Sequence, residues 1–192
     1  MQDVNNDNTV IARSVTDPSA FGEIFHRYAG AVHRYAARRA GDAVADDVTS
    51  ETFLIAFQRR TRFDPAREDA RPWLFGIATN LIHRHRIATA RVLRAMERST
   101  PEAEAVTGDP DDALDAQREV ARLAGRIRRL SAGDRDCLLL FAWAELSYDE
   151  IAEALHIPVG TVKSRLNRAR RQIRTTPEEG ENGRADTAPQ PA

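Results

Sequence analysis

Apolar residues return along this chain in steps of three and four. Phe21, Ile24, Phe25, Tyr28, Val32 and Tyr35 make the first such stripe, which predicts an amphipathic helix ended by Gly41-Asp42. Val44, Val48, Phe53, Leu54 and Phe57 predict a second helix over about Ala43 to Arg60, with these side chains toward a core. The stretch TRFDPAREDARP is then rich in turn signals, with Asp64-Pro65 and Arg71-Pro72 as punctuation. Pro72 suits the first turn of a helix, where its missing N–H is not needed. A third helix is expected from Trp73 to about Arg91, with Trp73, Leu74, Ile77 and Leu81 on one side. Residues 1–18 are polar and predict a flexible N-terminus.

The periodicity lapses over ERSTPEAEAVTGDPDDA, residues 97–113, and resumes near Asp112. Leu114, Val120, Leu123, Ile127 and Leu130 form the next stripe. Ser131 with Asp134 reads as a capping box for a helix through Trp143, and Ser147 with Glu150 as another for a helix over Tyr148 to Leu155. Pro158 opens a further helix, in which Val162, Leu166, Ala169 and Ile173 face inward. Two short helices around a tight turn are the outline of a helix-turn-helix.

This pattern predicts an all-α chain of two small helical domains. Residues 19–91 form the first and residues 116–175 the second, with a flexible acidic linker over 92–115 and a disordered tail over 176–192. Composition agrees: aromatics are 6% and charged residues 30%, and alternating β-branched runs are scarce.

Charge sharpens the picture. The net charge of −1 hides a local asymmetry. Residues 118–175 hold 12 basic and 7 acidic side chains, whereas residues 91–117 hold 3 and 7 and the tail holds 1 and 4. A basic segment flanked by acidic ones points to an anionic partner for that segment alone. The exposed face of the last helix carries Lys163, Ser164, Arg165, Asn167, Arg168 and Arg171. Arg and Lys read guanine edges or bind phosphate, Asn reads adenine, and Ser serves either. By pattern alone, a merely solvated basic helix is the alternative.

Other chemistry finds little footing. The single cysteine, Cys137, makes no intrachain disulfide and reads as a buried small hydrophobe among Leu138, Leu139 and Leu140. His83 and His85 lie about 200° apart on a helix and cannot pinch one metal. No cofactor, metal or catalytic constellation is expected, and no small-molecule substrate. No apolar run approaches the ~20 residues of a membrane span, so a soluble, cytoplasmic protein is expected.

LSYDEIAEALHIPVGTVKSRLNRARRQI, with its lead-in LSAGDRDCLLLFAWAELS, resembles region four of the extracytoplasmic-function (ECF) sigma factors, two-domain members of the sigma-70 family. Cys137 stands where that family commonly has an aliphatic residue. ADDVTSETFLIAF, Ala45 to Phe57, is similar to the family's core-polymerase-binding helix, and Asp46, Asp47 and Glu51 match its pattern; Ser50 departs from the usual Gln. RPWLFGIATNLIHRHR, Arg71 to Arg86, looks like the helix that handles the minus-ten element. The loop Thr61 to Ala70 corresponds to the family's loop that cradles a flipped base.

The resemblance implies an RNA polymerase sigma factor without catalysis of its own. Thr161, Lys163, Ser164, Arg165, Asn167, Arg168 and Arg171 would meet the minus-thirty-five element as duplex DNA. Arg62, Trp73, Asn80, Arg84 and Arg86 would meet the minus-ten element and its melted nontemplate strand. Asp46, Asp47 and Glu51 would bind core RNA polymerase, and an anti-sigma factor is an expected further partner. Two rival readings are an ordinary helix-turn-helix regulator acting without polymerase and a nuclease using the His and Asp residues near 83–85 and 64–69.

Overall fold

The computed structural model describes residues 6–97 and 114–174, and every regular element among them is helical. The first unit holds α1 (Asp7–Thr16), α2 (Gly22–Ala40), α3 (Asp42–Arg59) and α4 (Arg71–Glu97). The second holds α5 (Leu114–Arg129), α6 (Ala132–Trp143), α7 (Tyr148–Leu155) and α8 (Val159–Arg174). The all-α, two-unit expectation is met. The core of the predicted linker and the C-terminal tail lie outside the described residues.

Most of the predicted stripe positions make the core of the first unit, although Phe25 stays 43% exposed. Ile24, Val32 and Tyr35 of α2 are buried with Val48 and Phe53 of α3 and with Leu74, Phe75 and Leu81 of α4. The Tyr35 and Phe75 rings meet edge to face, 5.2 Å apart. Each buried aliphatic or aromatic side chain of this kind contributes about 1.5–3 kcal/mol. The break at Gly41 is conformational: its φ is +87°, which an L side chain rarely adopts, and its N–H closes α2 on the Ala37 carbonyl at 2.8 Å.

Three expectations need correction. Residues 7–16 of the supposed flexible N-terminus form α1, because Val10 and Ile11 are buried and Asp7 is tied into the first unit. The Asp7 carboxylate accepts hydrogen bonds from the Tyr28 hydroxyl at 2.6 Å and the Ala70 N–H at 2.8 Å, and it pairs with Arg27. Leu54, expected in the core, faces solvent and is 55% exposed. α4 runs on to Glu97, past the predicted end at Arg91.

In the second unit Leu139 and Leu140 of α6, Ile151 of α7 and Val162 and Leu166 of α8 are buried together. The Ser147–Glu150 capping box is complete. Ser147 Oγ accepts from the Glu150 N–H at 3.3 Å, and the Glu150 carboxylate accepts from the Ser147 N–H at 2.6 Å. At Ser131 only the forward half forms, with the Asp134 N–H donating at 3.2 Å, because the Asp134 carboxylate turns to Arg168 instead.

The two units pack on each other along α4, α6 and α7. A Cβ at Gly76 of α4 would stand 2.6 Å from the Ala154 carbonyl oxygen of α7, so only glycine permits this approach. Charged groups stitch the same seam. Asp136 of α6 accepts from Arg39 of α2 at 2.5 Å and lies 2.7 Å from His83 Nε2 of α4. Arg39 also donates to the Tyr35 hydroxyl at 2.6 Å, and that hydroxyl lies 2.9 Å from Thr79 Oγ1. At the other end, Arg67 donates to Glu153 and Arg71 to the Ala144 carbonyl, each at 2.5 Å.

Candidate nucleic-acid interface

The helix-turn-helix is built by local chemistry. α7 ends at His156, which adopts the left-handed conformation at φ 52° and ψ 47°. The Ile157 N–H then returns to the Ala152 carbonyl at 3.0 Å, a Schellman-type closure. Pro158 turns the chain into α8, its carbonyl accepting from the Thr161 and Val162 N–H groups at 2.8 and 3.2 Å. Val162, Leu166 and Ala169 are buried, which fixes the rotation of α8 about its axis.

That rotation exposes Lys163, Ser164, Asn167, Arg168 and Arg171, while Thr161 is half-buried at the start of the helix. Ser164 Oγ donates to the Thr161 carbonyl at 3.0 Å. Arg168 lies 3.5 Å from the Asp134 carboxylate, an orienting contact that leaves its guanidinium half exposed. Arg165 behaves differently. It is half-buried, its guanidinium lies over Gly133, and its charge stands near the Cys137 thiol. Burial pushes the Cys137 thiol up, and the neighbouring Arg165 offsets part of that rise. Arg170 and Arg174, which the residue-by-residue reading passed over, line a groove along α8 with Asn167 and Arg171. Their signal is the basic repeat 170–171–174 itself. Arg170 is held by the Phe141 ring, 5.2 Å away, and by the Tyr148 hydroxyl.

On α4, Trp73, Asn80 and Arg84 fall along one face, at steps of seven and four. Asn80 and Arg84 are exposed, and Trp73 is half-buried with its ring 5.0 Å from Phe63 of the preceding loop. Arg62 is exposed in the short 3-10 turn after α3. Arg86 is separated from this group: two residues beyond Arg84, it projects toward the seam and lines a cleft between the two units. His83 turns inward to Asp136.

On α3, Asp46 and Asp47 are exposed and Glu51 is half-buried. Asp46 lies 3.1 Å from His33, and Glu51 pairs with Arg84 at 3.0 Å. The Glu51–Arg84 pair joins a predicted polymerase contact to a predicted promoter contact. Leu54 extends the Asp47–Glu51 face by one turn, an exposed leucine that the periodic reading assigned to the core. Among the described residues no trio of His, Cys, Asp or Glu gathers to hold a metal ion. No helix among them is long and apolar enough to cross a membrane.

Family comparison fits these surfaces. Residues 24–92 match the profile of Sigma-70 region 2, and residues 121–173 match that of Sigma-70, region 4. The chain belongs to the sigma-70 family. Its curated relatives include the ECF RNA polymerase sigma factor SigL of Mycobacterium tuberculosis, 34% identical over 81% of this chain and 88% of that one. BldN of Streptomyces coelicolor, another ECF RNA polymerase sigma factor, is 32% identical over 82% of this chain, which spans 60% of BldN's length. Among solved structures, CnrH in complex with the cytosolic domain of CnrY superposes with a TM-score of 0.61 at 27% identity, covering 87% of this chain and 94% of CnrH. The fold is also that of the sigma factor RpoE from Bartonella quintana in complex with the anti-sigma factor NepR, with a TM-score of 0.59 at 23% identity over 80% of this chain and 93% of that one. This ECF sigma factor directs promoter-specific, DNA-templated initiation of transcription by RNA polymerase.

Proposed function

We propose that this sigma factor divides promoter recognition between residues 19–91 and residues 116–175. The observation that carries the reading is the presentation of α8. A capped helix, a left-handed turn and three buried apolar residues hold Lys163, Ser164, Asn167, Arg168 and Arg171 outward on one face. That face, with Thr161 at its start, enters the major groove of the minus-thirty-five element. Arg165 supports the face from beneath by packing on α6. On the first unit, Arg62, Trp73, Asn80 and Arg84 meet the minus-ten element and its melted nontemplate strand, where a base leaves the stack at a cost of a few kcal/mol. Arg86 joins them once the seam opens. Asp46, Asp47 and Glu51, extended by Leu54, bind core RNA polymerase.

The protein does this without chemistry of its own, in the cytoplasm where polymerase and chromosome meet. A protein inhibitor is the third partner in this reading. The solved relatives CnrH and RpoE are held by CnrY and by the anti-sigma factor NepR, and an anti-sigma factor would hold this chain likewise. Each unit alone binds DNA weakly, and core polymerase makes the two contacts effectively intramolecular by fixing their spacing.

Run-off transcription on a promoter library tests the reading. Discrete start sites that appear only when the protein is added to core polymerase, and that share two spaced motifs, are expected. Stable, specific operator binding by the protein alone, without any effect on start sites, would replace the reading with that of a polymerase-independent regulator.

A further inference from the structure

The seam between the two units encloses a cleft of about 640 Å³ that the surfaces described above do not use. Its floor is apolar, formed by Val44, Leu123, Ile127, Leu139 and Trp143. Its rim is cationic, with Arg38, His85, Arg86, Arg128 and Arg135. Arg39 also borders it, but Asp136 neutralises that guanidinium. Among the described residues, no carboxylate lines the cleft. Arg135 Nη1 donates to the Arg128 carbonyl at 3.2 Å, whereas its Nε is buried with no hydrogen-bond partner. Burial, together with the charges of Arg86 and Arg39, pushes the Arg135 guanidinium down from its ordinary value. Like charges gathered around an apolar floor repel one another, and a buried donor without an acceptor is unfavourable. One anionic group at the rim relieves the repulsion.

We propose that this cleft is a binding site for a small amphipathic organic anion, with its apolar body on the Leu123–Ile127–Trp143 floor and its phosphate or carboxylate head at Arg128 and Arg135. The volume falls in the range of small-molecule sites, about 300–1,000 Å³. Val44, Arg38 and Arg86 come from the first unit; Leu123, Arg128, Arg135 and Trp143 come from the second. The site therefore exists only while the units are closed on each other. A ligand that binds only the closed form stabilises it at the expense of the open one. The ligand is a soluble monomer rather than a membrane surface, because the floor lies between two helical units.

The test uses the full chain and 8-anilino-1-naphthalenesulfonate, a fluorescent anion with an apolar body. One saturable site is expected. Monomeric dodecyl phosphate should displace the probe at a concentration at least tenfold lower than dodecanol or inorganic phosphate. The double substitution Arg128→Gln/Arg135→Gln should weaken dodecyl phosphate binding at least tenfold. Ala124→Trp, which fills the cleft and keeps its charges, should abolish binding with unchanged helical circular dichroism. Arg59→Gln, an exposed cation far along α3, should change nothing. Equal displacement by dodecanol, full binding by the Ala124→Trp variant, or binding only to phosphatidylglycerol vesicles would each overturn the proposal. The titration contains neither polymerase nor promoter, so its failure leaves the promoter-recognition reading intact.

Discussion

The Asp136 carboxylate and the Arg39 guanidinium meet at 2.5 Å across the seam between the two units. Arg39 is almost wholly buried, at 1% side-chain exposure. Its charge is tolerable there because Asp136 and the Tyr35 hydroxyl both accept from it. Removing one partner of a buried pair typically destabilises by about 3–5 kcal/mol, since the other charge is left uncompensated. Because this pair bridges α2 of the first unit and α6 of the second, Asp136→Asn should loosen the seam before it unfolds either unit. Small-angle scattering should show an expanded particle at unchanged helical circular dichroism. Native dimensions in the variant would show that the pair does not hold the seam.

The same carboxylate makes the seam sensitive to acid. Burial pushes Asp136 up, but the hydrogen bonds and charges of His83 and Arg39 outweigh it and hold the carboxyl below its ordinary value. A group whose folded pKa is depressed stabilises the closed state above its unfolded value, about 3.9 for Asp. That stabilisation is lost as pH falls through the depressed value. The wild-type particle should therefore expand below about pH 4. The Asp136→Asn variant should lack this step, and an identical acid profile in both proteins would remove Asp136 as its source.

Gly76 gives a prediction with an inverted sign. Within an exposed helix, Gly→Ala stabilises by about 1 kcal/mol. Here the added methyl would stand 2.6 Å from the Ala154 carbonyl oxygen, part of a backbone that cannot yield as a flexible side chain does. Gly76→Ala should open the seam as Asp136→Asn does, and should expose the Arg67–Glu153 pair to exchange with solvent. A higher melting temperature with native scattering would mean that α4 and α7 accommodate the methyl with the seam still closed.

Legibility in the sequence followed the range of the interactions involved. α2, α3, α6, α7 and α8 were readable because their apolar steps and caps are local, as the completed Ser147–Glu150 box shows. α1 was not, because polar Asp7 and Ser14 share its buried face with Val10 and Ile11. Composition counted those polar residues toward solvent. The seam was also hidden, since Arg39 and Asp136 lie 97 positions apart and a local reading assigns both to water. Arg165 falls on the polar face by helical spacing, yet its long side chain folds back to Cys137. Leu54 matches the apolar period closely enough to be read as core, and only the packing of α3 on α2 and α4 shows that its side faces outward.

The outward face of α3 separates binding from folding. Asp47→Arg reverses a charge on an exposed side chain, where substitutions usually shift stability by no more than about 0.5 kcal/mol. It should lower affinity for core polymerase at least tenfold in a competition assay, with an unchanged melting temperature. Leu54→Ala should behave alike, weakening core binding without the loss of about 2–5 kcal/mol that truncating a core leucine brings. Wild-type competition by both variants would remove the polymerase-binding role from this face.

The residues of α8 should separate by what each one touches. Asn167 is exposed and free to reach a base edge, so Asn167→Ala should weaken promoter binding by about 1–3 kcal/mol and relax preference at one base pair. Lys163→Ala should weaken binding uniformly across sequences and reduce the salt slope by about 1, as loss of a phosphate contact does. Arg165→Ala should instead lower the melting temperature and leave base preference unaltered, because its guanidinium supports α8 from the side of Gly133 and Cys137. Binding to a set of single-base promoter variants, measured at two salt concentrations beside a thermal melt, reads all three. Relaxed base preference in Arg165→Ala with a native melt would turn that side chain outward and give it the base contact assigned to Asn167.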